Sequence, residues 1–435
     1  MKPSPEPTHE QAPTARHART DPGAVDLLGQ AMARENMLAA WKRVKANKGS
    51  AGVDARTVQQ TQEYLKQAWP QIRAAVLDGS YRPAPVRRVS IAKSGGGTRE
   101  LGIPTVVDRL IQQALLQVLQ PLIDPSFSEH SHGFRPGRSA HGAVRQAQRY
   151  VSEGYTTVVD VDLEKFFDRV NHDILMGRLA RRIADGRVLG LIRQYLQAGI
   201  MAEGVCIVRE EGTPQGGPLS PLLANVLLDE VDRELERRGH RFVRYADDCN
   251  VYVRSQRAGE RVLQALRRSY ARLKLRLNEA KTAVGPVWGR KFLGYRMLRA
   301  NGGEVKLGVS HQSLAKLKDR VRALTRVTVG RSLEQVAQDL RRYVPGWRAY
   351  FGLAQTPSVF VRLDGWLRTR LRVLQLRHWR HAATIHREMR RLGASDALAR
   401  KVASRTSGWW GSAATGLRRI LTVAHFDRLG VPKFS

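Results

Sequence analysis

Cysteine is nearly missing from this 435-residue chain: Cys206 and Cys249 are the only two. Two thiols with no CxxC spacing cannot build a Cys-rich zinc site, and they leave at most one disulfide as a covalent brace. Acidic residues are scarce beside basic ones, with 39 Asp and Glu against 73 Lys and Arg, for a formal net charge of +34. That excess argues for a polyanionic ligand, because each contacted phosphate releases counterions and adds affinity. Aromatic residues make up only 7% of the chain, which disfavours a sugar cleft walled by rings. No apolar run reaches the length of a membrane span, and the N-terminus MKPSPEPTHEQAPTARHART holds no apolar signal segment. A soluble, cytoplasmic protein that does not contact membrane is expected.

What the chain does have is organised from about residue 27. Residues 1–26 are rich in Pro, Thr, Ala and His and lack periodicity, so they are expected to be a disordered leader. Leu27, Met32, Met37, Ala40, Trp41 and Val44 follow one helical stripe that stops at the turn Asn47–Gly52. Val86, Val89 and Ile91, then the Ser94–Gly97 turn, then Leu101 and Ile103 predict a β-hairpin carrying Arg87, Lys93 and Arg99. A helix is expected over Val106–Leu122. Beyond about residue 300 the strand-like segments give way to long helical patterns. One stripe runs through Leu333, Val336, Leu340, Tyr343, Val344, Trp347, Tyr350 and Phe351, with many arginines around and after it. A domain boundary is placed there, giving segments 27–300 and 301–435.

Three segments carry candidate chemistry. In Tyr155–Asp168 a strand-forming run bears Asp160 and Asp162, two residues apart and therefore on one strand face. Carboxylates so placed are costly to bury without a neutralising cation. In Arg244-Tyr-Ala-Asp-Asp-Cys-Asn-Val-Tyr-Val253 two strand-like runs flank Asp247 and Asp248, which predicts a hairpin with adjacent carboxylates at its tip. Like charges there repel until a divalent cation reverses the sign of that term. Mg²⁺ accepts oxygen ligands and keeps sites for substrate phosphates, so a few carboxylates suffice. Two such ions roughly 3.5–4 Å apart can serve both the attacking 3′-hydroxyl and the leaving pyrophosphate. Between these segments lies Gly212-Thr-Pro-Gln-Gly-Gly-Pro-Leu-Ser-Pro-Leu-Leu-Ala-Asn225, a Gly-rich turn leading into a helix that continues through Asp232. Such a turn fits a nucleotide-site wall. A two-carboxylate glycosidase is the competing enzyme reading, and an RNA-coating protein the competing binder.

The order of these motifs resembles a reverse transcriptase: Asp162 with Phe166-Phe167, TPQGGPLSPLLAN, YADD, Leu275-Arg-Leu-Asn-Glu-Ala-Lys-Thr282 and Lys291-Phe-Leu-Gly-Tyr295. More narrowly, Asn47–Asp54, Arg99–Arg109, His132–Arg138 and Tyr343–Phe351 resemble the bacterial group II intron reverse transcriptase/maturase, from about residue 30 to the end. That resemblance implies an α+β, right-hand polymerase. Its fingers and palm have an antiparallel sheet flanked by helices, and an α-helical thumb/maturase domain follows. It implies RNA-directed DNA polymerase activity on an intron RNA template with a DNA primer or target, dNTPs as substrates, two Mg²⁺ ions, and maturase help in splicing and mobility. Its motif-A carboxylate maps to Asp162 rather than Asp160. The implied metal-holding set is Asp162, Leu163, Asp247 and Asp248, and the three aspartates are the implied catalytic residues. Phe167 falls at the steric gate against a ribose 2′-hydroxyl, Gln215 at the nascent base pair, and Lys281 where it can protonate or neutralise pyrophosphate. Arg87, Lys93 and Arg99 match positions that hold the triphosphate. Arg341, Arg342, Arg348, Arg368, Arg370, Arg372 and Arg377 are expected to form a phosphate-tracking face. Larger relatives end in a Cys-rich endonuclease, and the lack of cysteine after Cys249 predicts the short form without it. A splicing maturase alone, or a host-domesticated or defence-associated reverse transcriptase, are the alternatives.

Overall fold

The computed structural model describes residues 25–92, 98–202, 205–207, 211–213, 216–326, 330–404 and 409–435. Helices α1 (Leu27–Ala31), α2 (Arg34–Ala46) and α3 (Val58–Asp78) come first, then the hairpin β1 (Val86–Ala92) and β2 (Thr98–Ile103), then α4 (Val106–Ile123) and α5 (Ala140–Ser152). Strand β3 (Thr157–Val161), helices α6 (His172–Ala180) and α7 (Gly186–Gln197), and the short strands β4 (Ile200–Ala202) and β5 (Val205–Ile207) follow. Next are α8 (Ser220–Arg237), β6 (Arg241–Tyr245), β7 (Asp248–Val253), α9 (Gln256–Arg272) and β8 (Ala283–Pro286). Strands β9 (Lys291–Phe292), β10 (Tyr295–Arg299) and β11 (Val305–Val309) lead to α10 (His311–Leu324), α11 (Leu333–Tyr350) and α12 (Pro357–Trp379). Shorter helices α13 (Ala382–Arg391), α14 (Asp396–Ala403), α15 (Trp409–Ala414) and α16 (Val423–Arg428) close the chain.

Local chemistry sets several boundaries. Thr57 and Gln60 form a reciprocal capping box at the start of α3, and Gly79 ends it in the left-handed region, with φ +82°. Ser332 and Gln335 cap α11 in the same way. The single helix expected over residues 27–44 is two helices: Asp26 caps α1, and the chain turns at Met32–Ala33 before α2 begins. No Gly or Pro marks that break. The predicted hairpin is present, with Arg87 opposite Ile103 and Ile91 opposite Arg99. It is wider than expected, because β4 pairs parallel to β1 and β5 extends the sheet to the order β2-β1-β4-β5.

Two compact units divide the chain. The first takes residues 1–139, 159–251 and 257–284, and the second takes 140–158, 252–256 and 285–435. Helix α5 and residues 285–300 thus belong with the C-terminal segment. The core of the first unit includes Ile111 and Leu115 of α4, Leu227 and Leu228 of α8, and Phe242 and Val243 of β6, all fully buried. The second unit is built on the sheet β11-β10-β9 and on α11 and α12, where Leu340, Val344, Leu367, Leu371, Phe426 and Phe434 are buried. A third sheet, in the order β6-β7-β3-β8, carries the carboxylate segments. Cys249 is a free, buried thiol on β7, so it is not held in a disulfide, and burial pushes its pKa up to about 12. Among the described residues no helix is long and apolar enough to cross a membrane.

Candidate active site

The two middle strands of the third sheet bring the acidic segments together. Strand β3 ends at Val161, one residue before Asp162, and its neighbour β7 begins with Asp248. Strands β6 and β7 are joined by Ala246 and Asp247 alone, and Ala246 takes a positive φ of +59°. Asp162 and Asp247 are half-buried and Asp248 is exposed.

The two carboxylates of the β3 segment have different surroundings. Asn250, with its amide oriented as its partners require, donates to Asp160 Oδ1 at 3.0 Å, so Asp160 is engaged within the sheet. Asp162 instead meets Lys281, with Nζ 3.4 Å from Oδ2. The segment Leu275–Thr282 is laid along the strand end to make this possible. The Asn278 N–H donates to the Asp162 carbonyl at 2.8 Å, the Asp162 N–H donates to Thr282 Oγ1 at 3.3 Å, and the Glu164 N–H donates to the Arg276 carbonyl at 2.9 Å. Leu163 is bridged to Leu277 between those bonds, which use the Asp162 carbonyl and the Glu164 amide and not the Leu163 carbonyl.

A tight turn of 3₁₀ helix, Phe166–Arg169, follows Asp162. Phe166 is buried and meets Phe167 edge-on, with ring centroids 5.1 Å apart. Phe167 is only half-buried. It lines a cleft of about 510 Å³ together with Gly216, Gly217, Pro218, Arg109 and Phe134. Both glycines are there for close approach. A Cβ on Gly216 would stand 2.7 Å from the Gly102 carbonyl oxygen, and one on Gly217 would stand 2.4 Å from Gln112 Oε1.

Arg109, Phe134 and Gln113 are cleft residues that sequence reasoning gave no role. Arg109 donates to the Ser50 carbonyl at 2.6 Å, while its Nε is buried without a hydrogen-bond partner, and burial lowers its pKa. Phe134 is 48% exposed and holds a positive φ of +60°. Neither property can be read from the sequence, which is why the residue carried no role there. Of the expected triphosphate contacts, Arg87 sits on β1 with its Nε buried and unpartnered. Lys93, Gln215 and the side chain of Arg99 lie outside the described residues.

The seven arginines expected on one phosphate face do not share it. Arg341, Arg342 and Arg377 are exposed. Arg348 and Arg370 are half-buried: Arg348 donates to the Phe434 carbonyl at 2.6 Å, and Arg370 donates to Thr325 Oγ1 at 2.9 Å. Arg368 and Arg372 are inside, at 9% and 4% exposure. Arg372 donates to the Leu421 carbonyl at 2.9 Å and stacks over Phe426, and Arg368 faces Asp364 at 3.9 Å. Of the expected stripe, Leu333, Val336, Leu340, Val344 and Phe351 are buried, Tyr343 and Trp347 are half-buried, and Tyr350 is exposed.

Asp162, Asp247 and Asp248 supply the hard oxygen donors that Mg²⁺ prefers. Among the described residues no three His, Cys, Asp or Glu side chains converge into a ready-made ion cage. Asp162 follows one of two neighbouring strands and Asp248 begins the other, and carboxylates so placed could hold an ion that takes the rest of its ligands from substrate phosphates and water.

Comparison with known proteins places this geometry in a family. Residues 91–297 match the family described as reverse transcriptase (RNA-dependent DNA polymerase), and residues 314–393 match the group II intron, maturase-specific domain. Protein YkfC of Escherichia coli (strain K12) is 32% identical over 343 residues, covering 68% of this chain and 90% of that protein. The group II intron-encoded protein LtrA of Lactococcus lactis subsp. cremoris is 38% identical over 198 residues, 45% of this chain and 32% of LtrA. A 91 kDa protein in the cob intron of Schizosaccharomyces pombe is 41% identical over 152 residues, 35% of this chain and 19% of that protein. The chain therefore spans a third or less of the length of those two relatives. Among solved structures, a chain of the partial Cas6-RT-Cas1–Cas2 complex aligns at 26% identity and a TM-score of 0.38, over 59% of this chain and 43% of that one. That likeness adds nothing to the assignment. The chain belongs to the group II intron reverse transcriptase/maturase family, with an RNA-directed DNA polymerase domain followed by a maturase-specific domain.

Proposed function

We propose that the chain extends a DNA primer on an intron RNA template by a two-Mg²⁺ mechanism, and that its C-terminal helices bind intron RNA and assist splicing and mobility. The observation that carries this reading is the placement of Asp162 and Asp248 at the ends of neighbouring strands, with Lys281 beside Asp162. Asp162, Asp247, Asp248 and the Leu163 carbonyl are the groups that would hold the ions. Bound there, Mg²⁺ would lower the cost of ionising the primer 3′-hydroxyl and offset charge on the leaving pyrophosphate.

The rest of the site binds, selects and neutralises. The Phe167 ring, partly open to the cleft, would act as the steric gate against a ribose 2′-hydroxyl. Gly216 and Gly217 let the cleft wall close on Gly102 and Gln112, and the nascent base pair is assigned to Gln215. Arg87, Lys93 and Arg99 hold the triphosphate, and Lys281 moves from Asp162 to the departing pyrophosphate. Fingers and palm occupy residues 27–300 after a leader of 1–26, and the thumb/maturase domain occupies 301–435. In that last region Arg341, Arg342 and Arg377 meet RNA phosphates, with Arg348 and Arg370 at the margin.

The test is extension of a DNA primer annealed to RNA, with dNTPs and Mg²⁺, by the purified chain. Extension that stops when EDTA removes Mg²⁺ is expected. Tight RNA binding with no extension at any Mg²⁺ concentration would leave only the maturase reading standing.

A further inference from the structure

Arg244 is the largest fully buried side chain among the described residues. It spends two nitrogens on Asp232, Nε to Oδ1 at 2.8 Å and Nη2 to Oδ2 at 2.6 Å. Its third nitrogen, Nη1, donates to Asn225 Oδ1 and to the carbonyl of Ala246, both at 2.9 Å. Ala246 is the first residue of the two-residue turn that presents Asp247 and Asp248. Its φ of +59° is an uncommon conformation for a residue with a Cβ, and it persists only where neighbours over-determine it.

Those neighbours converge from three directions. Asn225 also donates Nδ2 to the Gly133 carbonyl at 2.9 Å. Gly133 packs so closely on the turn that a Cβ there would stand 2.2 Å from the Ala246 nitrogen. The Arg244 main chain is pinned to the same loop, its N–H donating to the His130 carbonyl and its carbonyl accepting from the His132 N–H, each at 2.9 Å. A buried ion pair is seldom a net gain in stability over well-packed apolar residues. A guanidinium that holds a carboxylate with one edge and a turn carbonyl with the other is better explained by geometry than by stability.

We propose that the Asp232–Arg244–Asn225 network sets the Asp247–Asp248 carboxylates for ion binding, with Arg244 as a positioning residue acting through the Ala246 carbonyl. The proposal rests on reading those aspartates as metal-holding groups. Arg244→Lys keeps a charge for Asp232, but one ammonium cannot span both Asp232 and the turn. Asn225→Ala loosens the turn with the ion pair intact, and it keeps the test alive if Arg244→Lys fails to fold.

The experiment uses the full chain and two readouts: Mn²⁺ binding by electron paramagnetic resonance with no nucleotide present, and the Mg²⁺ dependence of single-nucleotide addition. Both variants are expected to bind Mn²⁺ about tenfold more weakly and to need correspondingly more Mg²⁺, as losses behind a metal ligand typically do. RNA affinity should stay unchanged. Wild-type Mn²⁺ affinity and Mg²⁺ dependence in the folded variants would overturn the positioning role, whatever happens to their melting temperatures. Asp247→Asn serves as the control: if it too binds Mn²⁺ and extends primers like wild type, the metal reading itself falls and this proposal with it.

Discussion

Lys281 Nζ stands 3.4 Å from Asp162 Oδ2, a cation resting against the carboxylate that ends the central strand. The lysine side chain is 65% exposed, so the pair is solvent-screened and easily parted. On the proposed mechanism Lys281 leaves Asp162 when an ion and a triphosphate arrive. Lys281→Met is expected to slow single-turnover nucleotide addition by roughly 10²-fold, the usual worth of a positioned general acid, and to leave primer–template affinity unchanged. A wild-type rate in Lys281→Met would reduce the ion pair to a surface contact.

Phe167 has one face toward the cleft with Gly216 and Gly217, and its neighbour Phe166 is the ring that fills the core. Phe167→Val should therefore open space without creating a large cavity. The expected result is a rise in ribonucleotide incorporation relative to deoxynucleotides, by one to two orders of magnitude for a steric clash of about 1–3 kcal/mol. Competing rNTP and dNTP incorporation on one primer measures it. An unmoved ratio would place sugar selection elsewhere.

The C-terminal arginines separate into two classes with opposite expectations. Arg341, Arg342 and Arg377 are exposed, so replacing all three by Ala should leave the melting temperature near wild type and weaken RNA binding across sequences. The slope of log affinity against log salt should fall by roughly 0.7–0.9 per lost phosphate contact. Arg372→Ala should instead destabilise the helical unit, because it strips a buried donor from the Leu421 carbonyl and empties the space over Phe426. A salt slope unmoved in the triple variant would mean that this surface does not meet RNA.

Much of the site was legible because its segments obey local rules. The runs around Asp162 and Asp247 are strand-forming, and the two strands are neighbours in one sheet. The hairpin of Arg87 shows its turn residues openly. Legibility fails where tertiary context decides. Asn225, Asp229 and Asp232 lie on α8 at helical spacing and carried no role in the sequence, yet all three are buried against Gly133, Arg182 and Arg244. Arg368 and Arg372 are buried against expectation, because charge in a helix suggests exposure until a partner inside is known. The grouping of α5 with residues beyond 285 depends on contacts far apart in sequence, and the break between α1 and α2 carries no helix-breaking residue.

On the proposed mechanism Asp247 holds the ions for chemistry and is not needed to hold RNA. The most direct measurement is single-turnover dNTP addition on an RNA template by Asp247→Asn, with RNA affinity measured on the same preparation. The swap is nearly isosteric and removes one negative charge from the turn. The expected result is loss of addition by at least about three orders of magnitude, a share of the barrier in line with removing electrostatic stabilisation from a transition state, with RNA affinity near wild type. Addition at the wild-type rate by Asp247→Asn would contradict the account.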